Sequence, residues 1–305
     1  MLDDVAFLQA HYPYFWPIVA FLFGSAIGSF LNVVVYRLPV MMMQDWREQS
    51  LEIIQESTGD EALVESVRQR LPEPQKPFNL VVPNSTCPSC GTAIKPWHNI
   101  PIIGWFLIGG KCAACSAPVS ARYPTVEATT AILTALVIFM LGPTLQGLAA
   151  CVLTWALIAL ALIDFDTQLL PDSITLPFLW LGLVVNFFGV FVPFPAAFLG
   201  AVLGYLVLWT VYQLFKLVTG KEGMGFGDFK MLAMLGAWLG ATSLPLIIIV
   251  SSFAGAVIGG ALILAGRDRS VPLKFGPFLA IAGFIALIWG NDLIDLYLQV
   301  TLGTE

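Results

Sequence analysis

Charge is the scarcest commodity in this chain: only 11 % of its residues are Asp, Glu, Lys or Arg, where soluble domains carry about 25 %. That excludes an ordinary globular protein. No long basic run exists, which argues against nucleic acid as a partner. Internal repeats, low-complexity tracts and a glycine-rich dinucleotide fingerprint are also missing. The first residues include Asp3 and Asp4 where a cleavable signal peptide needs a basic stretch, so the first apolar block reads as an uncleaved anchor.

What fills the space is apolar: 58 % of the residues are hydrophobic and the mean hydropathy is +0.84. The apolar residues come in blocks at about 14–37, 123–141, 144–163, 173–192, 196–218, 228–241, 243–265 and 274–291. Most are close to the roughly 20 residues that cross about 30 Å of hydrocarbon as a helix. Only Val40 to Ala121 has ordinary soluble composition, and its Gln44–Arg70 part reads as an amphipathic helix closed by a Pro-rich linker, Leu71–Pro77. The expected fold is an all-α polytopic membrane protein of about eight transmembrane helices with a cytoplasmic tetracysteine insertion. Its expected parts are a first helix (1–39), the insertion (40–122) and a seven-helix membrane domain (123–305). With eight crossings, all 14 Lys and Arg fall on one side, and the opposite loops hold none. Positive charge stays inside, so the insertion is expected in the cytoplasm and both termini outside.

Two acids sit where acids are costly. Asp164 ends the third block and Asp228 opens the sixth, after Gly223-Met224-Gly225-Phe226-Gly227. The chain crosses twice between them, so both return to the cytoplasmic boundary. Paired carboxylates share a proton and suit peptide hydrolysis, one activating water and the other protonating the carbonyl oxygen or leaving amine. An intramembrane acid pair equally fits a proton-coupled transporter. Gly225 and Gly227 would let backbone approach the site closely. Asp172, after Pro171, reads better as a helix N-cap than as a catalyst. Asp166 lies further into the polar loop, and Asp228 alone would suit a helix N-terminus.

Only five cysteines are present, and four form Cys87-Pro88-Ser89-Cys90 and Cys112-Ala113-Ala114-Cys115. This C-x2-C-x21-C-x2-C array has the spacing of a tetrahedral Zn²⁺ site. Four thiolates close the shell, so such a metal is structural; a redox CxxC pair is the competing reading. His98 would be a fifth ligand for a full shell, which favours an ordinary polar role. The apolar run Ile100–Leu107 is too short to cross a bilayer and is expected at the interface or packed on the module. Cys151 reads as a small core residue, and Asn32 and Asn186 as interhelical hydrogen-bonding amides.

These blocks together resemble a family. Gly28-Ser29-Phe30-Leu31-Asn32-Val33-Val34-Val35-Tyr36-Arg37-Leu38-Pro39 is similar to the N-terminal signature of bacterial type IV prepilin peptidases. Ile163-Asp164-Phe165-Asp166 through Leu170-Pro171-Asp172 and Thr175-Leu176-Pro177 resembles their first aspartate block. Gly223–Lys230 resembles the second, the GxGD element shared with presenilin-like intramembrane proteases. The resemblance implies Asp164 and Asp228 as the catalytic pair and the tetracysteine as a zinc module. It also implies inner-membrane enzymes that remove the basic leader of prepilins and type II secretion pseudopilins after a glycine. They then N-methylate the new terminus with S-adenosylmethionine, whose site this sequence does not reveal. Glu127, just inside the second block, is then a candidate receiver of the leader or the pilin amine, or the partner of Arg122 or Lys230. Lys230 is a candidate for tuning the pair, or for snorkelling to lipid phosphate. A membrane-anchored zinc scaffold of a secretion machine is the remaining alternative.

Overall fold

The computed structural model describes residues 11–71, 78–266, 268 and 273–302. Asp3 and Asp4, most of the Pro-rich linker, and Arg267 and Arg269 lie outside the described residues. Ten α-helices carry the described chain: α1 (Phe15–Thr58), α2 (Glu61–Arg68), α3 (Ile103–Leu107), α4 (Arg122–Leu141), α5 (Leu145–Thr167), α6 (Asp172–Phe187), α7 (Phe194–Thr219), α8 (Phe226–Leu239), α9 (Leu244–Leu264) and α10 (Gly276–Leu302). Among the described residues the only β pairing is two isolated bridges, Thr86 with Ala93 and Lys111 with Pro118. In lipid a spanning segment must satisfy its own backbone, which helices do and open sheets do not.

Six helices (α1, α4, α5, α7, the α9 region and α10) are long and apolar enough to cross a bilayer, which makes this a multi-pass membrane protein. The other two apolar blocks also fold as helices, but α6 has 16 residues and α8 only 14, so length alone does not establish eight crossings. A second departure concerns α1. It does not stop near residue 37; it runs through Pro39 for 44 residues. The Met, Gln, Glu and Leu residues after Pro39 are good helix formers, and one missing N–H does not outweigh them. The amphipathic stretch is therefore the end of α1 plus α2, broken at Gly59, which takes a positive φ of 64°. Asp60 caps α2 by accepting from the Leu63 N–H at 3.0 Å.

The chain folds as two compact units, Gly28–Ala128 and the remainder. In the remainder, α8 is the centre. Phe229 and every residue from Met231 to Gly240 are buried, with α6 and α7 packed on it. A helix enclosed by protein need not match the bilayer thickness, which accounts for its shortness. Lipid offers no hydrophobic drive between helices, so close packing does the work. A Cβ on Gly236 would lie 2.1 Å from the Gly200 carbonyl oxygen, so α7 and α8 meet backbone to backbone. Asn186 closes the far end. Its amide N–H groups reach the Ala237 and Trp238 carbonyls at 2.8 Å. Its carbonyl accepts from Phe191 and Val192 N–H at 3.0 and 3.1 Å. The intramembrane amide is thus an interhelical tie, as expected.

In the Gly28–Ala128 unit, buried Arg37 donates to the Asn79 and Pro83 carbonyls at 2.8 and 2.6 Å and lies over the Phe78 ring. It holds the returning loop against α1. Asn32 donates to the Tyr123 carbonyl at 3.2 Å, joining α1 to the start of α4.

Candidate active site and metal centre

The last turn of α5 and the first turn of α8 each present an acid. Asp164 is 6 % and Asp228 7 % exposed, and they are close enough for the charge of Asp164 to be felt at Asp228. Asp166, two positions on and about half a turn round the helix, is exposed. Asp164 is fixed by a third element that the sequence does not announce. Its Oδ2 accepts the N–H of Gly276, the first residue of α10, at 3.0 Å. A Cβ on Gly276 would sit 2.8 Å from that oxygen, so the approach requires glycine. Pro277 behind it, a residue favoured in the first turn of a helix, marks the helix start but not the carboxylate it meets. Lys274 adds positive charge beside Asp164 and donates to the Phe165 carbonyl.

The two glycines before Asp228 differ. A Cβ on Gly227 would meet the Leu170 side chain at 2.7 Å, whereas one on Gly225 would meet only Asp228 Oδ2, at 3.9 Å. Gly227 therefore seats α8 against the loop after α5, and Gly225 leaves room beside the carboxylate. One expectation is corrected next door. Asp172 is not an N-cap: Pro171 holds that position without a side-chain bond, and Asp172 is the first helical residue. Its carboxylate pairs with the Lys230 ammonium at 2.7 Å, tying the start of α8 to α6. Glu127, 8 % exposed, accepts the Ile102 N–H at 2.6 Å.

In the insertion the four cysteine sulfurs lie within 4.8 Å of one another. Cys87 and Cys115 Sγ are 3.8 Å apart, Cys90 and Cys112 Sγ 4.0 Å, and none of the four is in a disulfide. Tetrahedral Zn–S bonds of about 2.3 Å need sulfurs about 3.8 Å apart, so the donor set fits zinc. The Thr92 hydroxyl and backbone N–H pull the Cys90 thiol down to about 6. Cys115 is pushed up to about 12: the Ala117 N–H lowers it, but hydrogen bonding with Cys90, desolvation and its other neighbours outweigh that. Four thiolates cannot accumulate together without a cation to balance them. His98 stands outside the cluster, its ring edge-on to Trp97.

The comparisons with known proteins agree with this arrangement. Residues 22–141 match the model of the bacterial Peptidase A24 N-terminal domain, and residues 151–260 that of the type IV leader peptidase family. Proteins named prepilin leader peptidase/N-methyltransferase are similar along nearly their whole length. The one from Pseudomonas aeruginosa is 50 % identical over 95 % of this chain and 96 % of its own. That from Aeromonas hydrophila is 48 % identical over 94 % and 95 %, and that from Xanthomonas campestris 45 % over 97 % and 98 %. No solved structure matches. With both family models in chain order and half the residues shared from end to end, the chain belongs to the type IV leader peptidase family.

Proposed function

We propose that this chain is a membrane-embedded aspartyl endopeptidase that removes the leader of prepilins and pseudopilins, with Asp164 and Asp228 as its catalytic pair. The observation that carries this is a pair of buried carboxylates, 64 positions apart in sequence, near enough for the charge of one to act on the other. One carboxylate takes a proton from water as its oxygen attacks the scissile carbonyl carbon. The other gives its proton to the carbonyl oxygen, and collapse of the adduct sends a proton to the leaving amine. The Gly276 N–H fixes one oxygen of Asp164 in place, so Asp164 is the base held ready for the water and Asp228 is the acid. The open side of Gly225 is where an extended substrate backbone reaches the pair.

The tetracysteine holds one Zn²⁺ through Cys87, Cys90, Cys112 and Cys115, as structure rather than as catalyst, because no position is left for water. The one-sided distribution of Lys and Arg supports a module on the cytoplasmic side of a bacterial inner membrane, with the termini outside. N-methylation of the new terminus is supported by the shared name of the relatives. Its methyl donor would be S-adenosylmethionine. The sequence offers no glycine-rich nucleotide turn for that donor, and no residue is assigned to it.

The test is purified chain in proteoliposomes with a prepilin, read by mass spectrometry of the products and by a lumenal pH dye. The expected result is leader release without proton flux. Flux without cleavage would establish a transporter instead.

A further inference from the structure

We propose that the turn Ile100–Leu107 is a wedge inserted among the acyl chains of the leaflet that Arg122 faces, held there by Glu127. Depth carries the argument. Helix α4 has 20 residues, about 30 Å at 1.5 Å each, so it needs its whole length to cross the hydrocarbon. Arg122, its first residue, therefore marks the boundary. Glu127 lies five positions further in, about 7.5 Å along the axis. Its carboxylate accepts the Ile102 N–H at 2.6 Å. The turn is thus pinned at the level of Glu127, below the headgroups, and not at the level of Arg122.

The turn is built for that place. Ile102 has a φ of 62°, a conformation costly for a β-branched residue. It turns the chain at the carboxylate and starts α3. The inner face of α3 is fixed by the protein: Gly104 abuts the His98 carbonyl, where a Cβ would lie 2.3 Å away, and the Trp105 indole donates to the Val119 carbonyl at 3.0 Å. The outer face is the more apolar one. Ile100, Ile103, Phe106 and Leu107 are 44 %, 57 %, 67 % and 66 % exposed. A helix with its apolar face outward is inverted for water and correct for lipid. The turn's bond to Glu127 of a helix long and apolar enough to cross the bilayer makes acyl chain the occupant. The wedge does not depend on the catalytic reading.

The experiment places a ketone-bearing amino acid at position 103, 106 or 107 of the full-length chain in nanodiscs and couples it to a nitroxide, leaving the cysteines untouched. Exposed Val81 in the same unit serves as the reference. Collision with oxygen and with a nickel chelate then reports depth. The expected result at 103, 106 and 107 is an oxygen-to-nickel collision ratio at least about tenfold that at 81, falling when Glu127→Ala is added and retained with Glu127→Gln. Nickel accessibility equal to that at 81 overturns the proposal, because the turn is then in water. Shielding from both reagents overturns it as well, because the cover is then protein.

Discussion

Gly225 and Gly227 are two positions apart and meet different surroundings, which separates folding from chemistry. Alanine at 227 would strike Leu170, and such overpacking costs about 1–3 kcal/mol. Alanine at 225 would meet nothing but the Asp228 carboxylate, and the residue has an ordinary φ of −80°. Gly227→Ala should therefore lower both thermal stability and cleavage. Gly225→Ala should keep the wild-type melting temperature and lose about tenfold or more in cleavage, ~1.4 kcal/mol of barrier. Paired melting and activity measurements check this, and equal melting losses would show that both glycines serve packing alone. The acids themselves were legible in the sequence because charge is conspicuous in an apolar run. Gly276 was not, since nothing local to it announces a carboxylate 112 positions away. The partnership of Arg37 with the Asn79 and Pro83 carbonyls was hidden for the same reason.

At the scale of elements, α8 carries the site and is positioned by ties at both ends. At its start, Lys230 meets Asp172 of α6; this pair is partly exposed and contributes about 0–1 kcal/mol. At its end, Asn186 satisfies two carbonyls and two N–H groups while 1 % exposed. Asn186→Leu should destabilise by at least about 2–3 kcal/mol, the cost of leaving several buried polar groups unpaired. Thermal unfolding in detergent measures this, and a change under about 0.5 kcal/mol would remove Asn186 from that role. Apolar blocks located the helices well, because lipid imposes length and composition on them together. Ends read less well. α1 overruns Pro39 because helix propensity continues beyond the membrane, and Asp172 takes Lys230 instead of capping because its partner lies 58 positions away.

At the scale of the molecule, two units divide the labour. A metal in a closed four-thiolate shell supports structure, so chelation should make the Gly28–Ala128 unit protease-sensitive while the unit carrying both aspartates keeps its own transition. Metal analysis should find about one zinc per chain, lost in Cys90→Ser. Exchange of zinc for cadmium should leave the cleavage rate unchanged; a rate that follows the metal's identity would place the metal in the chemistry. The two crossings expected between Asp164 and Asp228 from the apolar blocks predict that acids so far apart come to one face. The most direct test of that claim compares prepilin cleavage by the native chain, Asp164→Asn and Asp228→Asn, each shown to be folded by its melting curve. Each substitution should cut the rate by at least about 10²-fold, and the double variant should be no worse than the poorer single one, because the pair acts as one unit. Near-native cleavage by either folded single variant would contradict the account.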